Sequence, residues 1–174
     1  NNFFSIRKEG NTPAWGAVFE QYFQEIDKVK GQKGVLSVEK KLFVETNNGT
    51  NRQIRPVTPE QPLRIGDKVI VRLTIRTDRE MNYVFLKDLR AGCFEPADQL
   101  SGPESRDGIW YYRSPKDVSE NFFINRLPEG TFVLEYPVYV SRSGEYAGGI
   151  STIQCMYAPE FVSHTAGESL RIMP

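Results

Sequence analysis

One histidine, two cysteines and 22 acidic residues are what this 174-residue chain offers for covalent, metal or acid–base chemistry. His164 is followed by Thr165-Ala166-Gly167 and is expected in a surface loop. Its neighbour Ser163 is adjacent in sequence, and adjacent residues do not readily line up as nucleophile and base. One His with Cys93 and Cys155 far apart matches no zinc spacing, and no calcium loop or glycine-rich phosphate loop occurs. Pairs such as Asp88 with Glu95, or Glu95 with Asp98, have the residue types of a glycosidase pair, but any chain so rich in carboxylates contains them. The sequence therefore predicts no catalytic residues, no metal ligands and no cofactor. The two cysteines could pair in an oxidising compartment, where closing so long a loop contributes about 4 kcal/mol, or remain buried thiols. Both readings stay open.

Trp110-Tyr111-Tyr112 carries the other candidate chemistry. On a strand, Trp110 and Tyr112 share one side and Tyr111 takes the other. One side then fills a core, while the other meets a neighbouring domain or loop or forms an aromatic platform for sugar stacking.

The elements that position these residues read as β-structure. Val69, Val71, Leu73 and Ile75 alternate with Lys68, Arg72, Thr74 and Arg76, giving one apolar and one mostly charged face. Phe132, Leu134, Tyr136, Val138 and Val140 do the same within residues 131–141, and Pro137 on the opposite face predicts an edge or a bulge. Further strands are expected at 36–45, 52–55, 82–86, 109–113, 121–126, 150–157 and 169–173, with Asn48-Gly49 as a tight hairpin turn. Residues 58–64, with Pro59 and Pro62, read as an extended approach to the strand at 68. The segment 16–30 is ambiguous, because Val18, Tyr22, Ile26 and Val29 follow helical spacing.

Composition agrees. Hydrophobic residues make up 39% and charged residues 25% of the chain, as suits a folded soluble domain. Eleven Phe, 8 Tyr and 2 Trp can fill a core without long helices, and 14 Gly with 11 Pro supply turns. The 22 basic and 22 acidic residues cancel, no basic stripe occurs, and a nucleic-acid partner is not expected. No apolar run approaches the roughly 20 residues of a membrane span. Without an initiator Met at Asn1, the chain is expected to be a piece of a longer protein. The fold class read from these features is an all-β antiparallel sandwich with little helix.

The last third carries a resemblance. Asn121-Phe122-Phe123-Ile124 and Arg126-Leu127-Pro128-Glu129-Gly130-Thr131-Phe132-Val133-Leu134-Glu135-Tyr136 are followed by Gly144-Glu145-Tyr146, Cys155-Met156-Tyr157-Ala158-Pro159-Glu160-Phe161 and Ala166-Gly167-Glu168. Upstream stand Gly66-Asp67 with the strand 68–75, then Tyr83-Val84-Phe85-Leu86-Lys87-Asp88 and Ala91-Gly92-Cys93-Phe94-Glu95-Pro96. This ordered set resembles the C-terminal macroglobulin domain of bacterial alpha-2-macroglobulins. The resemblance implies a macroglobulin-like sandwich over 31–174. Residues 1–30 would be a leading segment from a preceding thioester-type domain, with 15–23 an early strand of the same unit. The family's Cys-x-Glu-Gln thioester is absent here: Glu20-Gln21 and Glu60-Gln61 have Val18 and Thr58 where the cysteine would stand. The role the resemblance leaves is non-catalytic: packing on the thioester-type domain and shielding it, with proteases as partners of the parent and a periplasmic or other extracytoplasmic location. Tyr146, Tyr157 and Phe161 are the expected interdomain contacts.

Overall fold

Alternating apolar residues separated by Gly- and Pro-rich turns pair here into stacked sheets. The computed structural model describes residue 7 and residues 9–13, 23–48 and 51–174. Among them, the strands in chain order are β1 (Leu36–Asn48), β2 (Asn51–Pro56), β3 (Leu63–Arg64), β4 (Lys68–Thr77), β5 (Met81–Leu89), β6 (Phe94–Pro96) and β7 (Gly102–Arg106). They continue with β8 (Ile109–Pro115), β9 (Ser119–Leu127), β10 (Gly130–Val140), β11 (Gly144–Ala147), β12 (Ser151–Cys155), β13 (Ala158–His164) and β14 (Ser169–Met173). One sheet runs β2-β1-β4-β10-β6 and the other β13-β12-β5-β9-β8-β7, with a small sheet β11-β14-β3 alongside. All pairs are antiparallel except β14 with β3. The fold is the expected all-β sandwich.

The core follows from register. Val38, Ile75 and Phe132 are cross-strand partners on the inner face of the first sheet, as are Leu42, Val71 and Tyr136. Val84 with Ile124 and Leu86 with Phe122 face them from the second sheet. These residues belong to one buried apolar cluster or pack against it. Pro137 accepts a hydrogen bond from Ala97 N at 3.4 Å, so its absent donor points toward the short edge strand β6 rather than into the β4 ladder.

Two polar clusters are buried between the sheets. Asp88, fully buried on β5, receives hydrogen bonds from Lys40 Nζ on β1 (2.8 Å), Ser151 Oγ on β12 (2.7 Å) and the Tyr136 hydroxyl on β10. Burial and the Asp88 carboxylate push the Tyr136 phenol well above its ordinary value, so it stays a donor. Next to it Glu120 accepts from Arg113 Nε at 2.6 Å and Arg90 NH2 at 3.0 Å. Burial pushes the Glu120 carboxyl up against the pull of both guanidiniums. Arg90 NH1 also donates to the Lys116 and Asp117 carbonyls, tying the β8–β9 turn to β5.

Several expectations are corrected. His164 closes strand β13 instead of lying in a loop; it pairs with Thr152 of β12 on one side, and Gln32 exchanges both backbone hydrogen bonds with it on the other. Cys93 and Cys155, for which both readings stood open, are buried free thiols in this structure. Cys155 pairs opposite Val84 near the start of β5, whereas Cys93 lies beyond its far end, so the length of that strand separates them. Burial raises the Cys93 thiol to about 11. The expected strand at 15–23 lies outside the described residues except for exposed Phe23, which precedes a single 3-10 turn at Ile26–Lys28. That part of the leading segment runs against the loop after β13: Gly167 N donates to Val29 O at 2.8 Å. A Cβ on Gly167 would stand 1.7 Å from Ile26 O, so the contact requires glycine.

Candidate functional site

The outer face of the second sheet should be polar if water alone covered it, since such sheets alternate apolar-in and polar-out. It is not. Pro103, Tyr112, Phe123, Phe85, Gln154 and Val162 are successive cross-strand partners from β7 to β13. The middle of this row is aromatic on three neighbouring strands. Phe85 and Phe123 stack with ring centroids 4.9 Å apart and an interplanar angle of 26°. Trp110 stands two residues from Tyr112 on the same side and is 71% exposed, while Tyr111 points inward and is buried. The alternation read from Trp110-Tyr111-Tyr112 holds, with Trp110 and Tyr112 on the open side.

The row is extended at the end of β12. Tyr157, 82% exposed, meets the edge of the Tyr83 ring at a centroid distance of 5.2 Å. Tyr83 has φ +57°, a left-handed backbone that is rare for an aromatic residue. Its carbonyl accepts from Met156 N at 2.9 Å, which fixes the β12–β13 turn over the start of β5. Tyr83, Phe85, Phe123, Met156 and Tyr157 together line a shallow apolar hollow of about 300 Å³. Isolated exposed apolar residues need no explanation, but a contiguous patch of this kind marks an interaction surface.

The three expected interdomain contacts do not form one group. Tyr157 joins the aromatic row. Phe161 is half-buried against the core, with the Arg79 guanidinium 5.6 Å from its ring centre. Tyr146 packs beside Gly92, beyond the opposite end of β5, and its hydroxyl donates to Ser143 O at 3.1 Å. Sequence reasoning missed Phe85, Phe123, Tyr83 and Met156. Phe85 and Phe123 were legible as odd-numbered partners of inward Val84, Leu86, Phe122 and Ile124, but only pairing reveals that they adjoin Tyr112.

The aromatic row offers apolar area for recognition. No group of three or more His, Cys, Asp or Glu among the described residues could hold a metal ion. Among the described residues, no helix is long and apolar enough to cross a membrane. The buried Tyr111 phenol, pushed to about 12 by burial and Glu104, is neutral and serves packing.

Comparisons with known proteins agree on the fold. The crystal structure of Salmonella alpha-2-macroglobulin reacted with methylamine superposes with a TM-score of 0.64 at 21% identity, covering 83% of this chain and 10% of that one. Native alpha-2-macroglobulin from Escherichia coli, spanning domain MG7 to the C-terminus, gives 0.63 at 16% identity over 83% of this chain and 24% of that one. Among curated proteins, circularly permutated Ras protein 2 of Dictyostelium discoideum is 28% identical over 109 residues, which are 63% of this chain and 3% of that protein. This chain thus spans a small fraction of each. The family model described as the bacterial alpha-2-macroglobulin MG10 domain matches residues 36–160, most of the sandwich, and the chain belongs to that family.

Proposed function

We propose that this domain is a non-catalytic structural and interaction module of an alpha-2-macroglobulin-like protease trap, where it packs on and shields a thioester-type domain of the same parent chain. The observation that carries the reading is the aromatic row Tyr112–Phe123–Phe85 with Trp110 and Tyr157 at its two ends. A thioester persists only where water and nucleophiles are kept away, and a rigid sheet presenting aromatic area suits that task. Residues 1–30 would be the leading segment from the preceding domain, and the parent would act outside the cytoplasm on proteases. In the parent protein, Phe123→Ser and Tyr157→Ser should leave the sandwich folded and reduce protease capture. Unchanged capture in the double variant would refute the reading.

A second reading is favoured by the exposure of Trp110 and Tyr112: a carbohydrate-stacking platform. Glycan-array binding lost in Trp110→Ala, with folding intact, would select it over the first.

A further inference from the structure

We propose that Lys40 and Asp88 condense into an intramolecular isopeptide bond that joins β1 to β5 and covalently staples the two sheets. The proposal is independent of the function proposed above. The reacting groups are already in contact and dry: Lys40 Nζ lies 2.8 Å from Asp88 Oδ1, with the side chains 10% and 0% exposed. The remaining ammonium protons go to Leu89 O at 3.0 Å and Gly148 O at 3.2 Å, so Nζ is fixed beside the carboxyl. Holding nucleophile and electrophile together in this way replaces a bimolecular encounter with a positioned one.

The partners of Asp88 divide its two oxygens. Oδ2 accepts from the Tyr136 hydroxyl, which sits where negative charge develops in a tetrahedral intermediate. Oδ1 faces Lys40 Nζ and the Ser151 hydroxyl, at 2.8 and 2.7 Å. A proton passes from Nζ to Oδ1, leaving a neutral amine and a neutral carboxylic acid. The amine lone pair attacks Cγ and forms the C–N bond. A second Nζ proton reaches Oδ1, directly or through Ser151 Oγ, the Cγ–Oδ1 bond breaks, and one water leaves. Ammonium plus carboxylate becomes amide plus water, with no oxidant, reductant or co-reactant. The amide retains one N–H for Leu89 O or Gly148 O. Lys40 and Gly148 also line a groove of about 280 Å³ beside His164 and Thr165, through which the water can depart.

The test is mass spectrometry of the folded chain after denaturation. The expected intact mass is lighter than the sequence by one water. Trypsin, unable to cut after an acylated Lys40, should release residues 34–41 carrying the branch Asp88-Leu89-Arg90. Lys40→Arg, folded by circular dichroism, should have the full sequence mass. Recovery of residues 34–40 and of free Asp88-Leu89-Arg90 as separate peptides, with an intact mass equal to the sequence, would overturn the proposal. So would a water loss that persists in folded Lys40→Arg.

Discussion

Arg90 is the residue whose loss the fold should feel most among the charged groups. Its side chain is 1% exposed and its guanidinium serves Glu120, itself 0% exposed, together with the Lys116 and Asp117 carbonyls. Arg90→Met keeps most of the apolar stem and removes one of the two cations that pair with Glu120. Removing one partner of a buried ion pair costs about 3–5 kcal/mol. In a domain of this size each kcal/mol lowers Tm by about 2–4 °C, so a fall of about 6–20 °C is expected. The pH dependence has a definite sign. Burial already raises the Glu120 carboxyl above its ordinary 4.5, and loss of Arg90 raises it further. A carboxyl with a raised folded-state value binds its proton more tightly in the fold. The variant should therefore suffer least near pH 4.5 and lose stability as pH rises through the raised value. Urea unfolding followed by the far-ultraviolet circular dichroism of the sheets measures both effects. A loss below about 1 kcal/mol at neutral pH, or a loss that grows toward acid, would refute the reasoning.

Three further outcomes follow from the same structure. Burial alone would raise the Glu135 carboxyl, but hydrogen bonds and charge from Arg72 and Arg106 hold it below its ordinary 4.5; stability should fall as pH drops below that value, and Glu135→Gln should flatten this acid limb in a thermal-unfolding series. The Cys93 thiol, raised to about 11 and fully buried, should resist iodoacetamide in the native chain while both cysteines label after unfolding, read by mass. Gly149 has φ +73°, and a Cβ there would stand 2.1 Å from Leu89 O; Gly149→Ala should lose soluble folded protein, read by gel filtration, because backbone must move to admit it.

Alternation made β4 and β10 legible because each has one face in the core and an opposite face that is mostly polar and half-exposed, buried Ile70 excepted. The same rule put Trp110 and Tyr112 on one side and Tyr111 on the other, and the structure shows that the Tyr111 side is the inward one. Legibility failed where pairing rather than pattern makes the strand. β7, with Gly102 and Pro103 and few apolar residues, exists because β8 supplies its ladder. β13 contains Pro159 and a bulge opposite Gln154 and Cys155, and its final residue is strand through Thr152 of β12, with Gln32 bridging its other edge. The buried clusters were equally hidden. Asp88 and Glu120 read as two carboxylates among 22, and only the register that sets them opposite one another on β5 and β9 places them beside Lys40, Arg90 and Arg113. Of the interaction surface, the residues on β8 were visible in sequence, and their neighbours on β5 and β9 required the sheet order.

The central claim, that the aromatic outer face is a surface covered by another domain of the parent, is tested most directly by hydroxyl-radical footprinting of the parent protein and of this chain alone. Trp110, Tyr112, Phe123, Met156 and Tyr157 should oxidise readily in the chain alone and be protected in the parent, while exposed Tyr139 on the other sheet oxidises equally in both. Equal oxidation of the aromatic row in the two samples would contradict the account.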